Sequence, residues 1–160
     1  MTHTLILLRH AKSAWPEGVR DEKRPLAPRG RRDAPAAGRW LRDHAPGIDL
    51  VVCSPALRAA ETWHLAAGEL DPPPPLRQDD RLYEATAGDL LAVTRELPPE
   101  VSTALLVGHN PGLEDFLAVL AGARHPLKTA AIAVITAPGS WARSQPGTWT
   151  LSKLATPRGR

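Results

Sequence analysis

The sequence predicts an α/β fold: three layers, with a mostly parallel central sheet and helices on both faces, in one domain of 160 residues. Two observations carry that expectation. Short apolar runs alternate along the chain with segments of helical periodicity, the pattern of a sheet joined by crossover helices. The runs themselves, among them "LILL" and "TALLV", are apolar throughout, as strands covered on both faces must be.

Taken in order, residues 4–9 are a buried strand ending in a charge. Residues 15–28 are polar and punctuated by proline, so they read as a loop. Residues 29–44 place Ala36, Ala37, Trp40 and Leu41 at helical spacing, and Pro46-Gly47 stops that helix. Residues 49–53, "DLVVC", are a second strand. Ser54-Pro55 then looks like the start of a helix reaching about Leu70, because serine is a good N-cap and proline fits the first turn. The four prolines at 72–75 make a stiff spacer. A helix over 87–97, a strand over 103–107, a tight turn over 108–112 and a helix over 113–121 follow. Residues 130–136 and 148–154 are expected to be neighbouring strands. No internal repeat appears.

Composition narrows the function classes. A content of 42% hydrophobic and 23% charged residues is ordinary for a globular protein. A chain of this length buries roughly 70% of its unfolded surface, enough for a substantial core. No apolar run approaches the ~20 residues of a membrane span, so no membrane partner is expected. No basic stretch leads into a long apolar segment, so no secretion signal is expected. The single cysteine, Cys53, allows no intrachain disulfide, and the cytoplasm is the expected location. The net charge of +3 is spread among arginines with no clustered patch, which argues against a nucleic-acid partner.

In open α/β sheets, ligands sit at the carboxyl ends of the strands. After the first strand come Arg9, His10, Lys12 and Ser13; after the second, Ser54 and Arg58; after the third, His109 and Asn110. Two arginines and two histidines therefore converge if the strands are neighbours. That set suits phosphoryl transfer. Guanidinium forks match phosphate oxygens, and a helix N-terminus adds oriented amides. A neutral imidazole can attack phosphorus and carry the phosphoryl group covalently, provided something holds the proton on its other nitrogen. Arginines and a second, protonated histidine can then neutralise the transition state without a metal or other cofactor.

"LLRHAKSAW", "CSPALRAAET" and "LLVGHNPG", in that order, resemble the histidine phosphatase superfamily, the phosphoglycerate mutase-like proteins. Arg-His-Ala-Lys-Ser, the short chain and "RPLAPRGRRDA" look most like its SixA-type phosphohistidine phosphatase branch. The resemblance runs from Thr4 to about Gly122; the last forty or so residues carry no matching motif. It implies a phosphoglycerate mutase-like fold, with His10 as the nucleophile that becomes phosphohistidine, Arg9 and Arg58 gripping phosphoryl oxygens, and His109 as the second histidine. It places Lys12 and Ser13 near the phosphate or its entrance. Glu84, in "RLYEA", is the positional candidate for the acid that protonates the leaving group, with Asp21 and Glu22 as weaker ones. The absence of long insertions implies a shallow, open site and a phosphorylated protein as substrate, acted on by a monomer. The alternatives are a small phosphorylated metabolite and a non-catalytic phosphate-binding module.

Simpler readings compete at each residue. Arg9-His10 alone would be a solvated strand end, Arg58 a helix-surface arginine, and His109 a satisfied turn histidine; their joint occurrence argues otherwise. "GHNPG" has the outline of a nucleophile elbow, but Asn110 cannot attack; with His109 it lies at the expected pocket and is a candidate substrate contact. Cys53 and Arg58 are separated by four residues and Pro55 removes an amide, so the loop of the cysteine phosphatases is rejected and Cys53 reads as a buried thiol. His3, His44, His64 and His125 lack metal-ligand spacing. Trp40 and Trp63 are expected in the core, whereas Trp15 stands on the rim of the pocket as a substrate contact or a loop anchor. Glu61 reads as a helix-surface residue.

Overall fold

A computed structural model describes residues 1–160. Six strands form one sheet in the order β3-β2-β4-β1-β5-β6. They are β1 (Thr2–Arg9), β2 (Leu50–Cys53), β3 (Leu76–Gln78), β4 (Thr103–Gly108), β5 (Ile132–Pro138) and β6 (Thr150–Ala155). Four helices are α1 (Pro28–His44), α2 (Leu57–Ala67), α3 (Ala87–Arg95) and α4 (Gly112–Ala121). The pairings β1–β4, β2–β4 and β2–β3 are parallel, and β1–β5 and β5–β6 are antiparallel.

Alternation within β1 shows why both faces are covered. Leu5 and Leu7 enter one core with Leu106, Phe116 and Leu90, from β4, α4 and α3. Ile6 and Leu8 enter the other with Leu41, Trp63 and Val107, from α1, α2 and β4. All four β1 side chains are fully buried, each contributing about 1.5–3 kcal/mol on transfer from water. No helix is long and apolar enough to cross a membrane.

Several local expectations are corrected. Ser54-Pro55 does not open α2: the helix starts at Leu57, with Ala56 at its N-cap and no side-chain cap. Ser54 instead extends the sheet, its N–H donating to Val107 O at 3.0 Å. The same helix stops at Ala67, and residues 68–70 form a tightened turn. Strand β3 was not expected, because "LRQ" is exposed throughout and lacks an apolar pattern; it is an edge strand held by backbone pairing to β2. Strand β5 begins at Ile132 because Ala130 takes a left-handed conformation (φ 61°) that breaks the extension. Trp40 is only half-buried, its ring 4.9 Å from His44, whereas Trp63 is in the core.

Candidate active site

Parallel register sets the site. Arg9 pairs with Gly108, and Cys53 with Val107, so His10, Ser54 and His109 each stand one residue beyond three adjacent strand ends. Backbone bonds continue past the strands: His10 N–H donates to Gly108 O at 3.0 Å. The His10 and His109 rings lie 5.1 Å apart, centroid to centroid.

His10 is 8% exposed. Its Nδ1 lies 2.7 Å from Ala11 O. A carbonyl only accepts, so Nδ1 carries the proton and Nε2 keeps its lone pair. Burial, reinforced by the positive charges of Arg58 and Arg9 and by His109, pushes the His10 pKa down to about 3, against the weaker upward pull of the Ala11 bond. His109 is likewise pushed down to about 4, by burial first and then by Arg58. The second histidine is therefore neutral at pH 7, and the protonated form expected from the sequence requires an anion beside it.

Ser54, completely buried, has its Oγ 2.8 Å from His109 Nε2 and accepts from Ala56 N–H at 3.3 Å. That hydroxyl orients the second histidine, a function the sequence conceals behind a Ser-Pro helix signal. His109 Nδ1 and Arg9 Nε are buried and have no partner. Unpaired buried polar atoms are costly, and the Arg9 Nε donor, next to His10 in the chain, suits an anion. Arg9 is steered by Nη1, which donates to Leu127 O at 2.8 Å.

Arg58 is 7% exposed and clasps Asp21: Nη1 donates to the backbone O at 2.7 Å and Nη2 to Oδ2 at 3.0 Å. Asp21 Oδ1 accepts from Arg24 Nη1 at 3.0 Å, and Oδ2 also accepts from the Tyr83 hydroxyl. The Tyr83 bond first, then those of Arg24 and Arg58, hold the Asp21 carboxyl well below the usual range. It is a firm carboxylate, which suits bracing arginines better than giving a proton to a leaving group. Arg24, buried, is a third guanidinium in the site that composition alone did not single out; the arginine of "RPL" was its only signal. Its Nη2 donates to Ser13 Oγ at 2.6 Å, and its Cζ lies 3.2 Å over the Trp15 ring.

The other candidates divide. Trp15 is 76% exposed on its outer side and anchors Arg24 on the other. Lys12 is exposed beside the strand end, and its carbonyl accepts from Ala27 N–H. Asn110 spends its amide on Glu114 Oε2 (2.7 Å) and Leu127 O (2.9 Å), so it ties α4 to the segment that holds Arg9. Glu84 is exposed, forms no hydrogen bond and has a left-handed backbone (φ 53°), one residue beyond Tyr83, whose ring stands edge-on to His109. Glu22 faces Arg20 at 3.9 Å. Glu61 is no idle surface residue: it accepts from Leu26 N–H at 2.8 Å and pairs with Arg31 at 3.1 Å, fixing the "RPL" segment to α2. Thr62 does the same for Ala11 N–H at 3.0 Å. Cys53 is buried, and burial pushes its thiol up to about 12, which leaves it inert.

None of the five cavities in the molecule, of 250 to 360 Å³, is lined by His10, Arg9, Arg58 or His109. Asp21, bonded to Arg58, and Tyr83, edge-on to His109, stand beside these side chains.

Comparison with known proteins agrees with this geometry. The model of the histidine phosphatase superfamily (branch 1) matches residues 5–130. An uncharacterised protein of Mycobacterium tuberculosis is 40% identical over 162 residues, spanning 94% of this chain and 100% of its own. The structure of a provisional phosphohistidine phosphatase SixA from Nakamurella multipartitia superposes with a TM-score of 0.88 at 32% identity, covering 98% of this chain and 97% of that one. A protein histidine phosphatase SixA complexed with tungstate shares the fold, with a TM-score of 0.82 at 24% identity over 96% of each chain. The chain belongs to the histidine phosphatase superfamily, in its SixA-type branch.

Proposed function

We propose that this histidine phosphatase hydrolyses phosphohistidine on other proteins, through a covalent phosphohistidine at its own His10. The observation that carries the reading is the Nδ1–Ala11 bond, which leaves Nε2 unprotonated on a neutral ring. In the first step the Nε2 lone pair forms a bond to phosphorus while the bond to the leaving nitrogen breaks. The leaving imidazole keeps that electron pair and takes up a proton from solvent water. In the second step a water oxygen attacks phospho-His10, the P–Nε2 bond breaks, and phosphate departs as a water proton passes to Glu84 or His109. Arg9, Arg58 and His109 stabilise the charge on the equatorial oxygens in both steps.

The choice of substrate follows from what the site lacks. Asp21 is held as a carboxylate, and Glu84 stands exposed without a partner. A leaving imidazole tolerates such a weak acid, because the ring nitrogen accepts its own proton, whereas an alkoxide does not. That none of the cavities is lined by His10, Arg9, Arg58 or His109 supports a side chain presented by another protein in preference to a small molecule that needs enclosure. Lys12, Ser13, Asn110 and Trp15 border the substrate's path in this reading. The enzyme acts as a single cytoplasmic domain and needs no metal.

The test compares a phosphohistidine peptide with a simple alkyl phosphate, with His10→Ala as control and with chelator present. The reading expects turnover of the peptide at a much higher kcat/KM, unaffected by chelator and abolished by the substitution. Comparable rates on both substrates, or faster turnover of a sugar phosphate or nucleotide, would assign the site to small molecules. Phosphate binding without turnover would make it a binding module.

A further inference from the structure

Two features are left unused by this chemistry: Asp33, in "RGRRDA", and the basic segment 157–160. They meet. Asp33 lies on α1 and is 1% exposed. Its own helix offers only Arg29 Nε, at 3.4 Å. A carboxylate withdrawn from water is stable only when donors replace its hydration. Here they come from the far end of the chain. Gly159 N–H donates to Oδ1 at 3.0 Å, and Arg158 Nη1 lies 3.4 Å from Oδ2. The seat admits only glycine, since a Cβ at residue 159 would stand 1.9 Å from Arg32 O.

The same contact leads to the nucleophile. Arg158 Nη1 also donates to Thr129 O at 3.0 Å, and Arg29 Nη2 reaches Thr129 Oγ1 at 3.5 Å. The next residue, Ala130, is buried in a left-handed conformation that disfavours a side chain (φ 61°). Its N–H donates to His10 O at 3.1 Å, while Arg9 N–H donates to Ala131 O at 3.1 Å. The peptide gripped by Arg158 is thus the one that aims the Ala130 N–H at the His10 backbone.

We propose that residues 157–160 form a strap whose docking on Asp33 positions His10. Asp33, Arg158 and Gly159 are positioning residues; none touches the reacting atoms. The proposal rests on the reading of His10 as nucleophile, and its test has an arm that does not.

That test uses Gly159→Ala, Arg158→Ala and a chain ending at Thr156, assayed by steady-state kinetics on an aryl phosphate and by amide hydrogen exchange. Small misplacements of a reacting group cost one to two powers of ten, so kcat should fall about tenfold with KM within about twofold. The Ala130 amide should exchange faster, while amides of β4 keep wild-type protection, and Arg158→Lys should restore part of kcat. Wild-type kcat and wild-type Ala130 exchange in Gly159→Ala and the shortened chain would overturn the proposal. So would exchange quickened uniformly across the sheet, which would make the strap merely stabilising. A wild-type protein inert toward phosphates would instead refute the reading of His10, leaving the exchange arm to decide the strap.

Discussion

Lowering the pH from 8 to 5 should cost the native protein stability in proportion to the burial of His10. The ring titrates at about 3 in the folded chain, against an ordinary 6.5. Between those values the unfolded chain binds a proton that the native state does not, so stability falls as pH drops through 6.5 and continues falling towards 3. At pH 5 an ordinary imidazole is about 97% protonated and the buried one almost wholly neutral, a difference of about 2 kcal/mol. His109, held at about 4, acts in the same window, so the control must isolate His10. His10→Asn does so, because its amide can still donate to Ala11 O while nothing titrates. Asp21 does not interfere, since its lowered carboxyl responds only below the ordinary carboxylate value of 3.8. Urea unfolding of both proteins at the two pH values measures the effect. The wild type should lose about 2 kcal/mol more than the variant. Equal losses would mean that His10 titrates normally, and the argument that it rests as a neutral nucleophile would fail.

Two further outcomes follow from the packing of the site. Arg58→Ala should lower kcat by on the order of 10²-fold, as loss of a charge-stabilising donor does; stopped-flow and steady-state assays that found only a raised KM would contradict its role. Gly30→Ala should destabilise the fold by about 1–3 kcal/mol, the usual cost of overpacking, because a Cβ there would stand 2.1 Å from Lys12 O. Thermal unfolding checks it, and an unchanged melting temperature would show that α1 does not press on the segment after His10.

Much of the site was legible because its parts follow strands. Apolar runs locate β1, β2 and β4, and the parallel register then brings Arg9, His10 and His109 together without further assumption. What stayed hidden depends on contacts between distant segments. Ser54 reads locally as a helix cap, and only the folded chain reveals His109, 55 positions away, as its partner. Asp21 and Arg24 share one loop, but Arg58 and Tyr83 reach Asp21 from 37 and 62 positions away, and a carboxylate among polar loop residues looks like a solvated charge until two arginines and a phenol close on it. Strand β3 has no apolar pattern to announce it. The docking of Gly159 on Asp33 spans 126 positions and involves a backbone N–H, which carries no signature in sequence.

The central claim is that phosphorus passes through His10. Rapid quenching of the enzyme with a labelled substrate, followed by peptide mapping at alkaline pH, tests it most directly. Acid-labile phosphate should appear on the peptide containing His10, and be absent from His10→Ala. Label on another residue, or turnover with no covalent phosphate under conditions that trap one, would contradict the account.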